Sequence, residues 1–104
     1  METLNDVVEA EINSFPVDVR ANLLKIVRRI ESIGLELVGE PYAKHIEGKI
    51  WELRPHGRNV GGRCLYVTAR QRRVIILVAF VKKSDRTPRR YIELAKHRMM
   101  EIAP

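Results

Sequence analysis

The sequence predicts a single α+β domain, with helices packed against one face of a small twisted antiparallel sheet and the other face partly open. Two N-terminal helices come first and a C-terminal helix comes last. Three observations carry this expectation: an apolar stripe at helical spacing after Pro16, three strand-like runs between Ile50 and Val81, and a Thr87-Pro88 helix start near the C-terminus. At 104 residues the chain has enough material for one core and too little for two.

The elements follow in order. Asn5 or Asp6 caps a short helix over residues 5–14, and Pro16 then restarts the chain, because proline suits the first turn of a helix and breaks its interior. Val19, Leu23, Ile26, Val27, Ile30 and Ile33 recur at helical spacing, and Gly34 offers a left-handed C-cap. Residues 35–49, with Gly39, Pro41 and Gly48, read as connection. Ile50 to Arg54 alternates as a strand, with Trp51 and Leu53 on one face and Glu52 and Arg54 on the other. Residues 55–62 form a glycine-containing loop, and Arg63 to Thr68 is the second strand. A tight connection at Arg70 to Arg73 leads into VIILVAFV over residues 74–81, whose apolar, β-branched run predicts a central strand covered on both faces. Thr87 is the expected N-cap of the last helix, Pro88 its first position and Ile102 its approximate end.

Charge is segregated along the chain. Residues 1–53 carry 6 Lys/Arg against 10 Asp/Glu and residues 54–104 carry 13 against 3, so the net +6 divides into −4 and +10. A domain that concentrates like charge accepts self-repulsion, and a polyanion is the commonest compensation. The absence of a signal-like N-terminal segment and of a long apolar run, with Cys64 as the lone cysteine, predicts a cytoplasmic protein that neither enters nor crosses a membrane.

Two clusters are candidate sites. Lys82, Lys83, Arg86, Arg89 and Arg90 crowd the start of the last helix, where the dipole is already positive and a bound phosphate would offset the repulsion. Arg54 and Arg63 lie at neighbouring ends of paired strands, beside a loop bearing His56 and Arg58. His56 is the best candidate for proton transfer near neutral pH. Tyr91 suits a proton donor, a base-stacking ring or a core residue. No histidine pair has metal-ligand spacing and the basic half is poor in carboxylates, so neither a metal nor another cofactor is expected.

The strings KHIEGKIWELR at residues 44–54 and RCLYV at residues 63–67, then FVKK at residues 80–83 with Thr87-Pro88 and IELAKHR at residues 92–98, resemble the RelE/HigB toxin superfamily, in its phage-derived HigB-like branch. The resemblance covers about residues 12–102. It implies a RelE-like fold and the toxin of a type II toxin–antitoxin pair, a ribosome-dependent mRNA endoribonuclease in which the RNA 2′-OH attacks the adjacent phosphate without a metal. Arg54, Arg63, Lys82 and Lys83 match the family's basic positions, Arg63 and Lys83 taking the electrostatic part in catalysis. His56 and Tyr91 are the candidate acid–base pair, and Arg58, Arg86, Arg89 and Arg90 are further phosphate contacts by location. The implied partners are mRNA on the ribosome and a cognate antitoxin, a helix-turn-helix protein of the HigA type. Two other readings stay open: a gyrase-targeting ParE-like toxin of the same fold, and a non-catalytic nucleic-acid-binding module. Many members begin with an edge strand, which this short N-terminus is read as lacking.

Overall fold

The computed structural model describes residues 1–34, 39 and 41–102. The elements run β1 (Glu2–Thr3), α1 (Asp6–Asn13), α2 (Val17–Ile33), β2 (Ala43–Glu47), β3 (Ile50–Leu53), β4 (Gly62–Ala69), β5 (Arg73–Val81) and α3 (Arg89–Met99), with a 3-10 turn over Arg70–Arg72 between β4 and β5. The strands form one sheet in the order β1-β5-β4-β3-β2. The class is the α+β expected.

Four details differ from the sequence reading. The N-terminus does supply an edge strand: Glu2 and Thr3 pair in parallel with Ile75 and Ile76, so the sheet is mixed. Residues 43–47 are a strand rather than a connection, pairing antiparallel with β3 through Ala43–Leu53, Lys44–Glu52 and His45–Trp51. The remainder of that expected connection at residues 35–38 and 40 lies outside the described residues. The C-terminal helix does not join the other two on one face; it covers part of the opposite face. Thr87 does not cap it either, since Pro88 holds the N-cap position and the Thr87 hydroxyl is engaged elsewhere.

Strand alternation splits the core in two. Leu53, Cys64, Tyr66, Val74, Ile76 and Ala79 face the apolar stripes of α1 and α2. Ile50, Leu65, Val67, Ile75, Leu77 and Val78 face Ile92 and Ala95 of α3. Leu77 and Val78 share a face because Leu65 pairs with Val78 and Tyr66 with Ile76, a bulge that leaves Leu77 as the extra residue. Beyond β1 this edge of β5 is closed by side chains. Glu11 of α1 accepts from the Ala79 N–H at 3.1 Å, Arg98 of α3 donates to the Leu77 carbonyl at 2.8 Å, and the two side chains form an ion pair at 3.0 Å. Such cover removes the free edge that would otherwise template pairing with another chain.

Local rules explain the rest. Asn5 caps α1 through Val8 N–H at 3.1 Å. Gly34 ends α2 with φ 94°, though with extended ψ rather than the left-handed helical pair expected. The β4–β5 turn puts Gln71 and Arg72 at φ 63° and 61°, a left-handed pair that matches strand twist but strains side-chain-bearing residues. Arg72 Nη1 donates to Ser32 O at 2.7 Å and ties this turn to the end of α2.

Candidate nucleic-acid interface on the open face of the sheet

Because α3 covers only part of its face, the ends of β3, β4 and β5 remain open beyond its N-terminus. Alternation puts Glu52 of β3, Arg63 of β4 and Phe80 of β5 on that open side, with Arg63 directly paired with Phe80, and Arg54, just past the end of β3, joins Glu52 there. Two adjoining hollows result. The smaller, of about 40 Å³, is lined by Arg63, Phe80, Val81, Lys83, Ser84, Arg86, Thr87, Pro88, Arg90 and Tyr91. It has room for little more than a water. The larger is an open groove of about 810 Å³, bounded by Arg54, Pro55, His56, Arg58, Arg63, Lys82, Lys83 and Asp85 among others. That volume suits a small-molecule or nucleotide-sized group. Arg63 and Lys83 belong to both.

The sequence candidates thus converge, with one exception. Arg63, Lys83, Arg86, Arg90 and Tyr91 line the smaller hollow, and Arg54, His56, Arg58 and Lys82 line the groove. Arg89 lines neither: it turns to Glu47 of β2 at 2.8 Å and to Glu93 at 2.7 Å. Lys96 reaches the same Glu47, and Arg89 first and Lys96 second hold that carboxyl down to about 2. Arg89 therefore ties α3 to the edge of the sheet.

Three residues outside the sequence's site candidates, Glu52, Thr87 and Phe80, complete the arrangement. Glu52 is fully buried, and among the described residues Arg63 is the other buried charge. Its Oε1 accepts from Arg54 Nε at 3.0 Å and lies 3.6 Å from Arg63 Nε, while its Oε2 accepts from the Thr87 hydroxyl. Arg63 Nη1 also donates to Gly62 O at 2.8 Å. Burial pulls the Arg63 pKa below its ordinary value and Glu52 pushes it back, leaving the side chain a cation. The third residue is Phe80, whose ring stacks on Tyr91 at 3.8 Å and 6°. The Arg90 guanidinium sits 4.8 Å above the Tyr91 ring, and its Nη2 donates to the phenolic oxygen at 3.3 Å. The available signal for Glu52 was its spacing, since a strand brings residues i and i+2, here Glu52 and Arg54, onto one face.

The loop bearing His56 and Arg58 is fastened rather than loose. Asn22 and Asp18 of α2 accept from the backbone N–H groups of His56 at 2.9 Å and Arg58 at 2.7 Å. The Arg58 N–H keeps the Asp18 carboxyl below its ordinary value. Gly57 lets the Asp18 carboxylate sit close, because a Cβ would fall 2.5 Å from an Asp18 oxygen and displace it. A second glycine, Gly62, lets β4 lie on Phe15, whose Cζ would stand 2.9 Å from an added Cβ.

Positive charge prevails across the site. Arg54, Arg58, Arg63, Lys82, Lys83, Arg86 and Arg90 surround it, against the buried Glu52 and against Asp85, which pairs with Lys82 at 3.0 Å. Lys82 in turn lowers the Asp85 pKa. A concave, cation-lined face with an aromatic stack at one side has the chemistry to hold a phosphate backbone and a base.

No curated protein matches the chain. Residues 10–100 match the family described as "Phage derived protein Gp49-like (DUF891)". That family is RelE/HigB-like and its members are commonly toxins of toxin–antitoxin systems, which gives this chain a toxin role in coarse terms and implies an antitoxin partner. The match takes in the second half of α1, all of α2, strands β2 to β5 and all of α3, so the chain belongs to the phage-derived Gp49-like family of RelE/HigB-like toxins.

Proposed function

We propose that the chain is a ribosome-dependent mRNA endoribonuclease that acts in the cytoplasm, arrests translation and is restrained by a helix-turn-helix antitoxin of the HigA type. The observation that carries this reading is the convergence of Arg54, Arg63, Lys82 and Lys83 on the open end of the sheet. In the reaction, the RNA 2′-oxygen bonds to the neighbouring phosphorus, the P–O5′ bond breaks, and the products carry a 2′,3′-cyclic phosphate and a 5′-hydroxyl. One proton leaves the 2′-OH and one joins the 5′-oxygen, so the step balances without a co-reactant.

Arg63 and Lys83, common to both hollows, stabilise the charge that grows on the phosphorane. His56 borders the groove on one side of them and Tyr91 the smaller hollow on the other, an arrangement suited to base and acid on opposite sides of an in-line displacement. Tyr91 takes the part of the acid from the smaller hollow and His56 that of the base from the groove. Arg54, Arg58, Lys82, Arg86 and Arg90 hold the flanking phosphates. Ribosomal alignment of the message supplies proximity, a contribution of several kcal/mol in favourable cases, about 7–11 at its upper range.

A translating extract tests the reading. Transcripts should be cut within codons only when ribosomes are present, and Arg63→Ala should reduce cutting about 100- to 1,000-fold, as loss of one oxyanion donor does. Intact mRNA with inhibited supercoiling would instead indicate a gyrase-directed toxin, and RNA binding without cutting a non-catalytic module.

A further inference from the structure

The geometry points to Glu52 as the positioning residue of this site: one buried carboxylate that sets both arginines and the start of α3 in a single arrangement. The inference rests on the reading of the groove as an RNA-cleaving site. Its grounds are the three elements that meet on this side chain. Arg54 reaches it from just past the end of β3, Arg63 from β4, and Thr87 from the segment leading into α3. A fully buried carboxylate is costly unless it is paired and hydrogen-bonded, and here every partner belongs to the candidate site.

The mode of attachment is as informative as its existence. Glu52 engages each arginine at Nε, the inner nitrogen, and Arg63 spends Nη1 on Gly62 O. The Arg54 Nη atoms and Arg63 Nη2 have no protein acceptor among the described residues and are left for a phosphate. Arg54, hydrogen-bonded at Nε and free at both Nη atoms, is a pre-oriented fork, and Arg63, held by Glu52 and Gly62 O, offers Nη2, so both lose less freedom when a phosphate arrives. On the other carboxylate oxygen, the Thr87 hydroxyl fixes the segment that carries Lys83 and Arg86. Strand-borne and loop-borne cations are thereby registered against one another through a residue that need not touch RNA. Thr87 stands one position before the N-cap, which Pro88 occupies, and its hydroxyl donates to the buried carboxylate.

The experiment uses the full chain with Glu52→Gln, Thr87→Val and Thr87→Ser, folding being checked by circular dichroism. Misplacement of reacting groups costs on the order of a hundredfold, so Glu52→Gln should lower kcat by about that factor, with a smaller change in KM. Thr87→Val should lower kcat in the same direction, and Thr87→Ser, which keeps the donor, should recover what the valine variant loses. Nitrogen-15 NMR gives a readout independent of activity. The Arg54 Nε–H signal, hydrogen-bonded to Glu52, should exchange slowly in the native chain and become fast in Glu52→Gln. Native kcat in both Glu52→Gln and Thr87→Val, or fast Arg54 Nε–H exchange in the native chain, would overturn the assignment. Should Glu52→Gln fail to fold, the contrast between valine and serine at position 87 decides alone. If the native chain cuts no RNA while the Arg54 Nε–H signal stays protected and depends on Glu52, the cleavage reading falls and the anchoring of Arg54 stands.

Discussion

The two faces of this sheet come from the same strands and are finished in opposite ways. The face under α1 and α2 is closed: Leu23, Ile30, Leu53, Tyr66 and Ile76 are wholly buried, and Gly62 is needed so that Phe15 can approach. The face under α3 is closed only where Ile92 and Ala95 lie on Leu65, Leu77 and Val78. Beyond the start of α3 it changes character, and Glu52, Arg54 and Arg63 replace aliphatic side chains. Closing one face with two helices supplies a core that lets the other face hold a buried charge network. Stability and chemistry are thus divided across a single sheet.

Substitutions on the two faces should separate along that division. Lys83→Ala, exposed on the open face, should cut RNA cleavage by a factor of about 100 or more while leaving the thermal midpoint nearly unchanged, as assays of both would establish. Ile76→Ala, buried under α1 and α2, should do the reverse. It should cost about 2–5 kcal/mol in urea unfolding, yet the fraction still folded should cleave at the native rate. A fall in specific activity per folded molecule would break the comparison.

Smaller effects sharpen it. Asp18→Asn exchanges the carboxylate that anchors the Arg58 N–H for a weaker acceptor, and should raise KM for RNA a few-fold by loosening the loop. Amide exchange at Arg58 would report the loosening directly. Glu47→Gln, at the α3–β2 contact, should act only on acid stability. The native carboxyl is held down to about 2 against an ordinary 4.5, so its contribution is complete above pH 4.5 and is lost as the pH falls towards 2. The variant's urea midpoint should therefore vary less with pH in that window. Because these ion pairs lie at the surface, salt should weaken the difference.

Much of the closed face was legible in the sequence. The α2 stripe, the Asn5 cap and the apolar run of β5 each obey a local rule, and the structure follows them. The charge segregation was legible too, and the groove and hollow gather most of the cations it indicated. What stayed hidden depended on partners remote in sequence. β2 exposes Lys44 and His45, bulges between His45 and Glu47, and buries only Ala43, so it carries no clean alternation. β1 is two residues long and exists because Ile75 and Ile76 offer it an edge. Periodicity identified α3 but could not say which face it would cover. Glu52 sits at a position that alternation assigns to the polar side, and only the arrival of Arg63 and Thr87 makes it buried. Arg89 shows the converse, since Glu47 lies on a strand not expected and draws that arginine away.

Whether the open face cuts RNA through the RNA's own 2′-OH is tested most directly on a programmed ribosome carrying a synthetic message. The residue 5′ to the cut carries either a 2′-hydroxyl or a hydrogen. The account predicts cleavage of the first message, leaving a 2′,3′-cyclic phosphate, and none of the second. Equal cleavage of both would contradict it.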